Sequence, residues 1–306
     1  MTETPQRNWK EILFNRKMLT CIFLGFTSGM PLFVLFQLIP AWLRSNEVDL
    51  ATIGLFALVS LPYTWKFVWS PLMDRYSPPF LGRRRGWALV TQVALLAVIG
   101  MLGHLDPAQS LQAIVVLVFF IALFSASQDI VIDAYRRELL ADDELGAGTS
   151  LFINAYRLSS LVPGSLSLIL SDLLPWVVVY WITAAFMLVG VVTTLVIREV
   201  SDDALAPASI REAIIDPFRE FFARDGITAG LAILAFMFLY KLGDNMATAL
   251  ATPFYLDMGF SRTQIGSIAK VAALWASIAG SIIGGAVMLK LSINKSLWIF
   301  GFVQMF

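Results

Sequence analysis

The sequence predicts an all-α protein that crosses a membrane many times. Hydrophobic residues make up 58% of the 306 residues and charged residues only 14%, and the mean hydropathy is +0.75. An ordinary soluble domain does not reach these values. The apolar residues also gather into long runs separated by short polar turns, and about 20 apolar residues are what one helix needs to cross the hydrocarbon core. The formal net charge of 0 gives no sign of nucleic-acid binding.

The apolar runs give the predicted order of helices along the chain. Six of them are expected to form an N-terminal bundle within residues 1–197, residues 198–225 a cytoplasmic linker, and residues 226–306 the first three helices of a second bundle. The first run is too long for a signal-peptide core and no small-residue cleavage pattern follows it, so we expect it to be retained. The last run has ten residues before the end of the chain, so we expect the second bundle to be incomplete, or truncated. The predicted spans are residues 18–43, 51–72, 88–103, 111–135, 149–170, 176–197, 227–252, 263–289 and 297 onward.

The basic residues predict which side of the membrane each loop faces. The N-terminal segment and alternate loops contain sixteen Lys and Arg residues, whereas the other loops contain only Arg44 and Arg262. Because cytoplasmic loops are enriched in basic residues, the N-terminus is predicted to lie in the cytoplasm. In the linker, Ser209 with Glu212 three residues later is a capping box that predicts an amphipathic surface helix. Six spans, a linker and further spans form the layout of a two-half transporter.

A polar cluster at the end of the fourth apolar run is the main functional candidate. Asp129 and Asp133 are four residues apart, so one helical turn places both on the same face. An ionisable side chain inside a span costs several kcal/mol unless it faces a partner or a water-filled cavity, which favours a coupling site for a proton. Structural pairing with basic residues of neighbouring helices is the alternative, and it is stronger for Asp133, which lies nearer the aqueous end. Gln128, next to Asp129, is a candidate substrate ligand.

Five charged residues inside other spans are further candidates for substrate binding. Lys66 and Arg157 can form one balanced cluster with the two aspartates of the fourth span. Lys241 and Asp244 lie three residues apart on the seventh span, and Lys270 lies on the eighth. A structural ion pair is the alternative for each of them. For Lys270, which has no obvious partner in the sequence, an anion-facing role is favoured.

The first span carries features of close packing and of bending. Gly25 and Gly29 have the small-xxx-small spacing that lets two helices approach, and Pro31 removes a backbone hydrogen bond. Helix packing is the favoured interpretation, and a bent helix facing a central cavity is the alternative. In that case Gln37 offers a neutral hydrogen-bonding group suited to a sugar or a peptide.

The loop after the second span has a more specific pattern. Asp74-Arg75, followed after a short insertion by Gly82-Arg83-Arg84, resembles the Asp-Arg-x-Gly-Arg-Arg signature of the major facilitator superfamily. In that superfamily the loop latches the two halves at the cytoplasmic side, so the resemblance implies a cytoplasmic gate made by these five residues. Positive charge for topology alone would require neither the aspartate nor the glycine. The resemblance also implies the fold of that superfamily.

Further segments resemble the muropeptide permease (AmpG-type) family within this superfamily, and the resemblance covers essentially the whole chain. It implies import of anhydromuropeptides, which are cell-wall fragments made of a disaccharide and a short peptide, across the inner membrane of a Gram-negative bacterium. It also implies coupling to protons without another cofactor and a link to β-lactamase induction, and we expect a monomer in the lipid bilayer. The segments are residues 69–76 with 82–87, 125–134, 156–158 and 240–244.

Two alternatives to this function stay open at the level of the sequence. The related acetyl-coenzyme A transporters share the general layout, so another organic anion is an alternative substrate. A truncated chain that acts as a non-transporting sensor or scaffold is an alternative function.

The sequence offers little for an enzyme or a metal site. Cys21 is the only cysteine and lies inside the first apolar run, so no disulfide can form within the chain. His104 is the only histidine, so neither a zinc site nor a Ser-His-Asp set is expected. We therefore predict a transporter and not an enzyme.

Overall fold

The computed structural model describes residues 15–141, 144–200, 219, 221–223, 226–288 and 299, and every regular element in these ranges is a helix. The predicted all-α membrane fold is confirmed. Among the described residues, five helices, α1 to α4 and α6, are long and apolar enough to cross a membrane. The main helices are α1 Arg16–Ser45, α2 Leu50–Val68, α3 Arg83–Leu102, α4 Leu111–Leu139, α5 145–171, α6 Trp176–Val196, α7 Ile227–Asp257 and α8 262–288.

Among the first six helices, successive helices run in opposite directions, because the connections between them are short. Their ends therefore form two sides. We call the side that holds the Arg83–Arg85 loop the loop end, and it also contains the start of α1 and the end of α4. The other side is called the opposite end, and it contains the end of α1 at Ser45, the end of α5 at Ser171 and the end of α7 at Asp257.

Helix α1 begins with an N-cap and changes register in its middle. The side chain of Asn15 accepts a hydrogen bond from the backbone N–H of Met18 at 2.9 Å, which satisfies one of the free donors of the first turn. Pro31 lies within the helix, and a π-turn over Val34–Leu38 follows it. Proline lacks an N–H and clashes with the preceding turn, and a π-turn is one way to absorb the disturbance.

The glycines of α1 serve close packing against α5. A Cβ atom added at Gly25 would lie 2.4 Å from the backbone oxygen of Phe152, and one added at Gly29 would lie 2.5 Å from the backbone oxygen of Tyr156. No larger residue fits at these distances, so the favoured interpretation of the glycine spacing is confirmed. This contact brings the middle of α5 against the middle of α1.

The second span is less regular than predicted. One continuous helix over residues 51–72 was expected, but α2 ends at Val68 and a separate short helix follows over Ser70–Arg75. Pro71 lies in the first turn of that short helix; without an N–H it can begin a helix but cannot continue the hydrogen bonding of the preceding one. Helix α2 itself consists of α-helix Leu50–Leu55, a 3-10 turn Phe56–Ser60, α-helix Leu61–Trp65 and a 3-10 turn Lys66–Val68.

The largest apolar core lies between α1, α3, α4 and α6. Trp42 of α1 is buried there and contacts the ring of Tyr180 on α6 edge to face, with 5.1 Å between the ring centroids. Leu95 and Ile99 fill the core from α3 and are also fully buried. Large apolar side chains such as Phe119 remain exposed on the outer faces, as expected where a helix faces lipid.

Three π-turns of different helices lie against one another. The π-turn Val162–Leu166 of α5 contacts both the π-turn Val34–Leu38 of α1 and the π-turn Ile265–Ala269 of α8. The turn in α5 contains Pro163, which explains its interrupted hydrogen bonding. Irregular backbone from both predicted halves of the chain therefore meets toward the opposite end.

Some expectations concern parts of the chain outside the described residues. The linker helix opening at Ser209 lies there, as does the apolar run from residue 297, except for single helical positions such as Arg219 and Ile299. The division into a bundle over 1–197, a linker and a second bundle from 226 stays a prediction.

Candidate functional site

Asp129 lies in a polar cluster formed by four helices. Its carboxylate on α4 is half-buried and accepts a hydrogen bond from the Ser28 hydroxyl of α1, with 2.5 Å between the oxygens. Lys66 of α2 and Asp133 lie close enough to act on it electrostatically. The predicted candidate therefore has both a hydrogen-bond donor and a cation beside it.

Two tyrosines complete the surroundings of Asp129. The hydroxyl groups of Tyr63 on α2 and Tyr156 on α5 both lie within electrostatic range of the Asp129 carboxylate. The Tyr63 hydroxyl is buried next to Ser125, one helical turn before Asp129. The sequence did not indicate Ser28, Tyr63 or Tyr156 as site residues, because hydroxyl side chains are common in apolar helices and give no signal of their own.

Asp133 has different surroundings from Asp129. Its side chain is 51% exposed and forms an ion pair with Arg136, with 3.0 Å between Oδ1 and Nη2. The guanidinium of Arg136 in turn stacks over the ring of Phe152, 4.2 Å from its centroid. The two aspartates thus interact electrostatically, as the four-residue spacing predicts, but Asp129 is the less exposed of the two. Asp133 lies nearer the loop end of α4 and nearer water.

Arg157, expected in a four-charge cluster, contacts the second half of the chain instead. Its Nη1 donates a hydrogen bond to the backbone oxygen of Ser277 on α8, at 3.3 Å. Lys66, Asp129 and Asp133 are brought together, whereas Arg157 reaches from α5 toward the second half of the chain. A basic side chain at that boundary is well placed to meet an anion that lies between the halves.

Each of the two glutamines predicted as substrate ligands has a buried side-chain oxygen that can accept a hydrogen bond. Gln128 is fully buried, and its Nε2 donates to the backbone oxygen of Thr27 at 3.1 Å, so this side chain packs against α1. Gln37 lies in the π-turn of α1. The side-chain oxygens of both glutamines are buried and accept no hydrogen bond from the described residues. An unused buried acceptor is unfavourable unless water or a ligand donates to it.

The remaining predicted ligands can be placed only by their helices. Lys241 and Asp244 lie in α7, and Lys270 begins the regular part of α8 after its π-turn. Their side chains lie outside the described part of the chain. Their roles stay predictions.

The basic loop forms a clasp around Arg84, which we call the loop-end clasp. The Arg84 guanidinium is 9% exposed and forms ion pairs with Asp74 at 2.5 Å and with Glu138 of α4 at 2.6 Å. Arg83 donates to the backbone oxygen of Asp74 at 3.1 Å, while Arg75 is exposed. The aspartate and the arginine of the motif thus meet directly across the insertion that separates them.

Glu199, just after α6, binds the first turn of α3. Its carboxylate accepts the backbone N–H groups of Arg84 at 2.7 Å and Arg85 at 3.0 Å, where the positive end of the helix dipole favours a negative charge. Gly82 precedes this turn with a φ of 84°, and a Cβ there would lie 2.7 Å from the Glu199 side chain. Position 82 therefore requires glycine for two reasons: its φ is positive, and a larger residue would collide with the Glu199 side chain. The sequence did not reveal Glu138 or Glu199 as partners.

All of these clasp partners lie before residue 200. The contacts tie the α2–α3 loop to α4 and to the end of α6 within the first six helices. The expected latch between the two halves at this end stays a prediction.

Hydrogen-bonded ion pairs also join helices at the opposite end. Arg44 pairs with Asp257 at 2.6 Å, and Arg262 pairs with Asp172 at 2.6 Å. Partial burial by itself raises the pKa of the Asp172 carboxyl, but the hydroxyl and N–H of Thr263 and the Arg262 guanidinium outweigh burial and hold that pKa below its ordinary value. Asp172 is therefore charged at neutral pH.

Within the described residues, no group of three or more His, Cys, Asp or Glu side chains could hold a metal ion. The chemistry available at the Asp129 cluster is the uptake and release of a proton by a carboxyl group.

In comparisons with known proteins, the matching family and the relatives that carry a functional name are all transporters. A family model described as Major Facilitator Superfamily matches residues 21–306. The anhydromuropeptide permease of Escherichia coli K12 is 42% identical over 285 residues, which cover 92% of this chain and 57% of that permease. An uncharacterized protein of Haemophilus influenzae is 48% identical over 295 residues, covering 96% of this chain and 69% of that protein. The putative transporter AmpG 4 of Rickettsia conorii is 31% identical over 295 residues, covering 92% of this chain and 70% of that transporter. The chain thus spans between 57% and 70% of the length of these relatives.

Proposed function

Because this chain belongs to the AmpG-type permeases of the major facilitator superfamily, we propose that it imports anhydromuropeptides across the bacterial inner membrane by symport with protons. That it is a multi-pass membrane protein of a transporter family follows from its family and its helices. The substrate and the coupling ion are the proposal. In it the N-terminus and the loop end face the cytoplasm, as the distribution of basic residues favours.

The observation that carries the proposal is the enclosure of Asp129 by groups from other helices. The Ser28 hydroxyl and the Lys66 ammonium favour the charged carboxylate, whereas burial favours the neutral acid. These two influences come from α1 and α2, while Asp129 lies on α4. A movement of α1 or α2 relative to α4 therefore changes which form is favoured, and a carboxyl that couples proton movement to a conformational change must behave in this way.

The direction of transport makes a coupled cation necessary. An anionic peptide that moves inward against an inside-negative potential is opposed by ~2.3 kcal/mol per charge for each 100 mV. One proton carried on Asp129 cancels one such charge and also contributes the pH gradient. Asp133, which is exposed and lies next to Arg136, suits the exchange of that proton with water at the cytoplasmic side.

Substrate binding is proposed between the two halves. Arg157 reaches from α5 to α8 there, and Gln37 offers a buried acceptor from the π-turn of α1. Positive groups on this boundary suit the carboxylates of the peptide, and amide groups suit the hydroxyls of the sugars. Further proposed ligands on the facing helices are Lys66, Gln128, Lys241, Asp244 and Lys270.

Uptake into membrane vesicles tests the proposal. Vesicles containing this chain should accumulate labelled anhydromuropeptide when the outside is made more acidic, and unlabelled anhydromuropeptide should compete whereas acetyl-coenzyme A should not. The E. coli permease serves as the positive control, and vesicles without either protein serve as the background. Uptake no higher than background, in preparations where the E. coli permease is active, would contradict the proposal.

A further inference from the structure

Two ion pairs join the predicted halves of the chain at the opposite end. Arg44 of α1 pairs with Asp257 of α7, and Arg262 at the start of α8 pairs with Asp172 after α5. Arg44 and Arg262 are also the only Lys or Arg residues in the predicted loops of this side. Each of these arginines thus forms an ion pair with an aspartate of the other half.

The two pairs differ in strength. Asp172 accepts three hydrogen bonds, from Nε of Arg262 at 2.6 Å, from the hydroxyl of Thr263 at 2.6 Å and from the N–H of Thr263 at 2.7 Å. Asp257 accepts the Nε of Arg44 at 2.6 Å, and the same arginine also donates to the backbone oxygen of Val48 at 3.3 Å. Since several charge-assisted bonds to one carboxylate reinforce one another, the Asp172 contact is the stronger.

A backbone contact lies directly beneath the stronger pair. Gly266 in the π-turn of α8 packs on the π-turn of α5, where a Cβ atom added at Gly266 would lie 2.7 Å from the backbone oxygen of Ser165. A rigid backbone oxygen cannot move aside as a flexible side chain can. Gly280, further along α8, has no atom of the described residues within 4 Å of an added Cβ. The close approach of α5 and α8 at this end therefore depends on the absence of a side chain at position 266.

We propose that Asp172, Arg262 and Gly266 form the main lock of an outer gate, and that Arg44 with Asp257 forms a weaker second lock. The inference rests on the proposed transport function, in which the opposite end faces the outside of the cell. With both locks closed, the outer face is sealed where α1 meets α7 and where α5 meets α8. Substrate reaches the space between the halves from outside only after both locks open, and the main lock determines how often that happens.

The test measures access to a buried position below the gate. Thr252 lies on α7 more than one turn before Asp257 and is fully buried. We would place Thr252→Cys in a background in which Cys21, the only natural cysteine, is replaced by Ala. The rate of reaction with a membrane-impermeant maleimide added outside then reports opening, and the assay requires no substrate. A negative result in the uptake assay and a negative result in the labelling assay can therefore be told apart.

The expected rates follow from the strengths of the contacts. Asp172→Asn should speed labelling roughly tenfold, because the charge-assisted bonds are lost, while Arg44→Gln should speed it about twofold, as a partly exposed ion pair contributes little. Gly266→Ala should also speed labelling, and Gly280→Ala should leave it unchanged. The reversed pair, Asp172→Arg with Arg262→Asp, should slow labelling again relative to Asp172→Arg alone.

Two results would overturn the proposal. In the first, Asp172→Asn and Gly266→Ala leave the labelling rate equal to that of the Thr252→Cys protein with no change in the gate. In the second, Gly280→Ala accelerates labelling as much as Gly266→Ala, which would show general loosening of α8. Because Gly266→Ala disturbs backbone packing and Asp172→Asn removes a charge, one variant still tests the gate if the other does not fold.

Discussion

Replacing Asp129 by Asn separates the titratable proton from the shape of the side chain. Asn has nearly the same volume, and its side-chain oxygen can still accept the hydroxyl of Ser28, which lies 2.5 Å from the carboxylate in the structure. The substitution exchanges a charge-assisted hydrogen bond for a neutral one and removes a desolvated charge. These effects oppose each other, so the free energy of unfolding should change by no more than about 1 kcal/mol.

The expected loss concerns energy coupling alone. A gradient of one pH unit is worth about 1.4 kcal/mol per proton, so symport with one proton can concentrate the substrate about tenfold. Asp129→Asn cannot release a proton and should bring the internal concentration only to the external one. Exchange of labelled for unlabelled substrate across vesicles without a gradient should persist, because exchange requires no net proton movement.

Asp133→Asn provides the matched control. Its side chain is 51% exposed and paired with Arg136 on the same helix, so the variant should retain most of the accumulation. Vesicle uptake with an imposed pH gradient, run beside substrate counterflow, distinguishes the outcomes. If Asp129→Asn still concentrates substrate, Asp129 is not the coupling residue and the reasoning from its enclosure is wrong.

Three further predictions address binding, stability and topology. Lys241→Gln and Lys270→Gln should each weaken binding of the peptide-bearing ligand more than binding of the peptide-free disaccharide in competition assays; equal losses would show that these lysines are structural. Arg84→Ala should lower the free energy of unfolding by about 3 kcal/mol, because it leaves two partly buried carboxylates without their cation, whereas Arg75→Ala at an exposed position should change it by less than about 0.5 kcal/mol. Similar denaturation midpoints for the two variants in detergent would contradict the loop-end clasp. A cysteine at His104 should react with an impermeant reagent added outside and a cysteine at Arg84 should not, and the reverse pattern would invert the topology.

The helical fold was largely predictable from the sequence, because span length and hydropathy are local properties. The ends of α4 and α6 lie within four residues of the predicted ends. The break of the second span at Pro71 and the π-turn at Val34–Leu38 were not predicted. Each depends on how a proline is accommodated between neighbouring helices, and the proline alone does not specify whether a helix bends, changes register or ends.

The site could be predicted only in part, for a related reason. Asp129 was found because a carboxylate in an apolar run is rare, whatever surrounds it. Ser28 and Tyr63 are ordinary residues of apolar helices, and only the packing of α1 and α2 on α4 gives them a role. The pairing of Arg44 with Asp257 was likewise hidden, because the two residues are 213 positions apart. The sequence showed only that few basic residues lie on that side.

Proton movement driven by the substrate is the most direct test of the central claim. The chain would be reconstituted into liposomes containing a pH-sensitive dye, with no initial gradient of pH or voltage and with a potassium ionophore to prevent build-up of charge. Adding anhydromuropeptide outside should acidify the interior in step with substrate uptake, and the Asp129→Asn variant should show no acidification. Uptake of anhydromuropeptide down its gradient with no change in internal pH would contradict proton coupling.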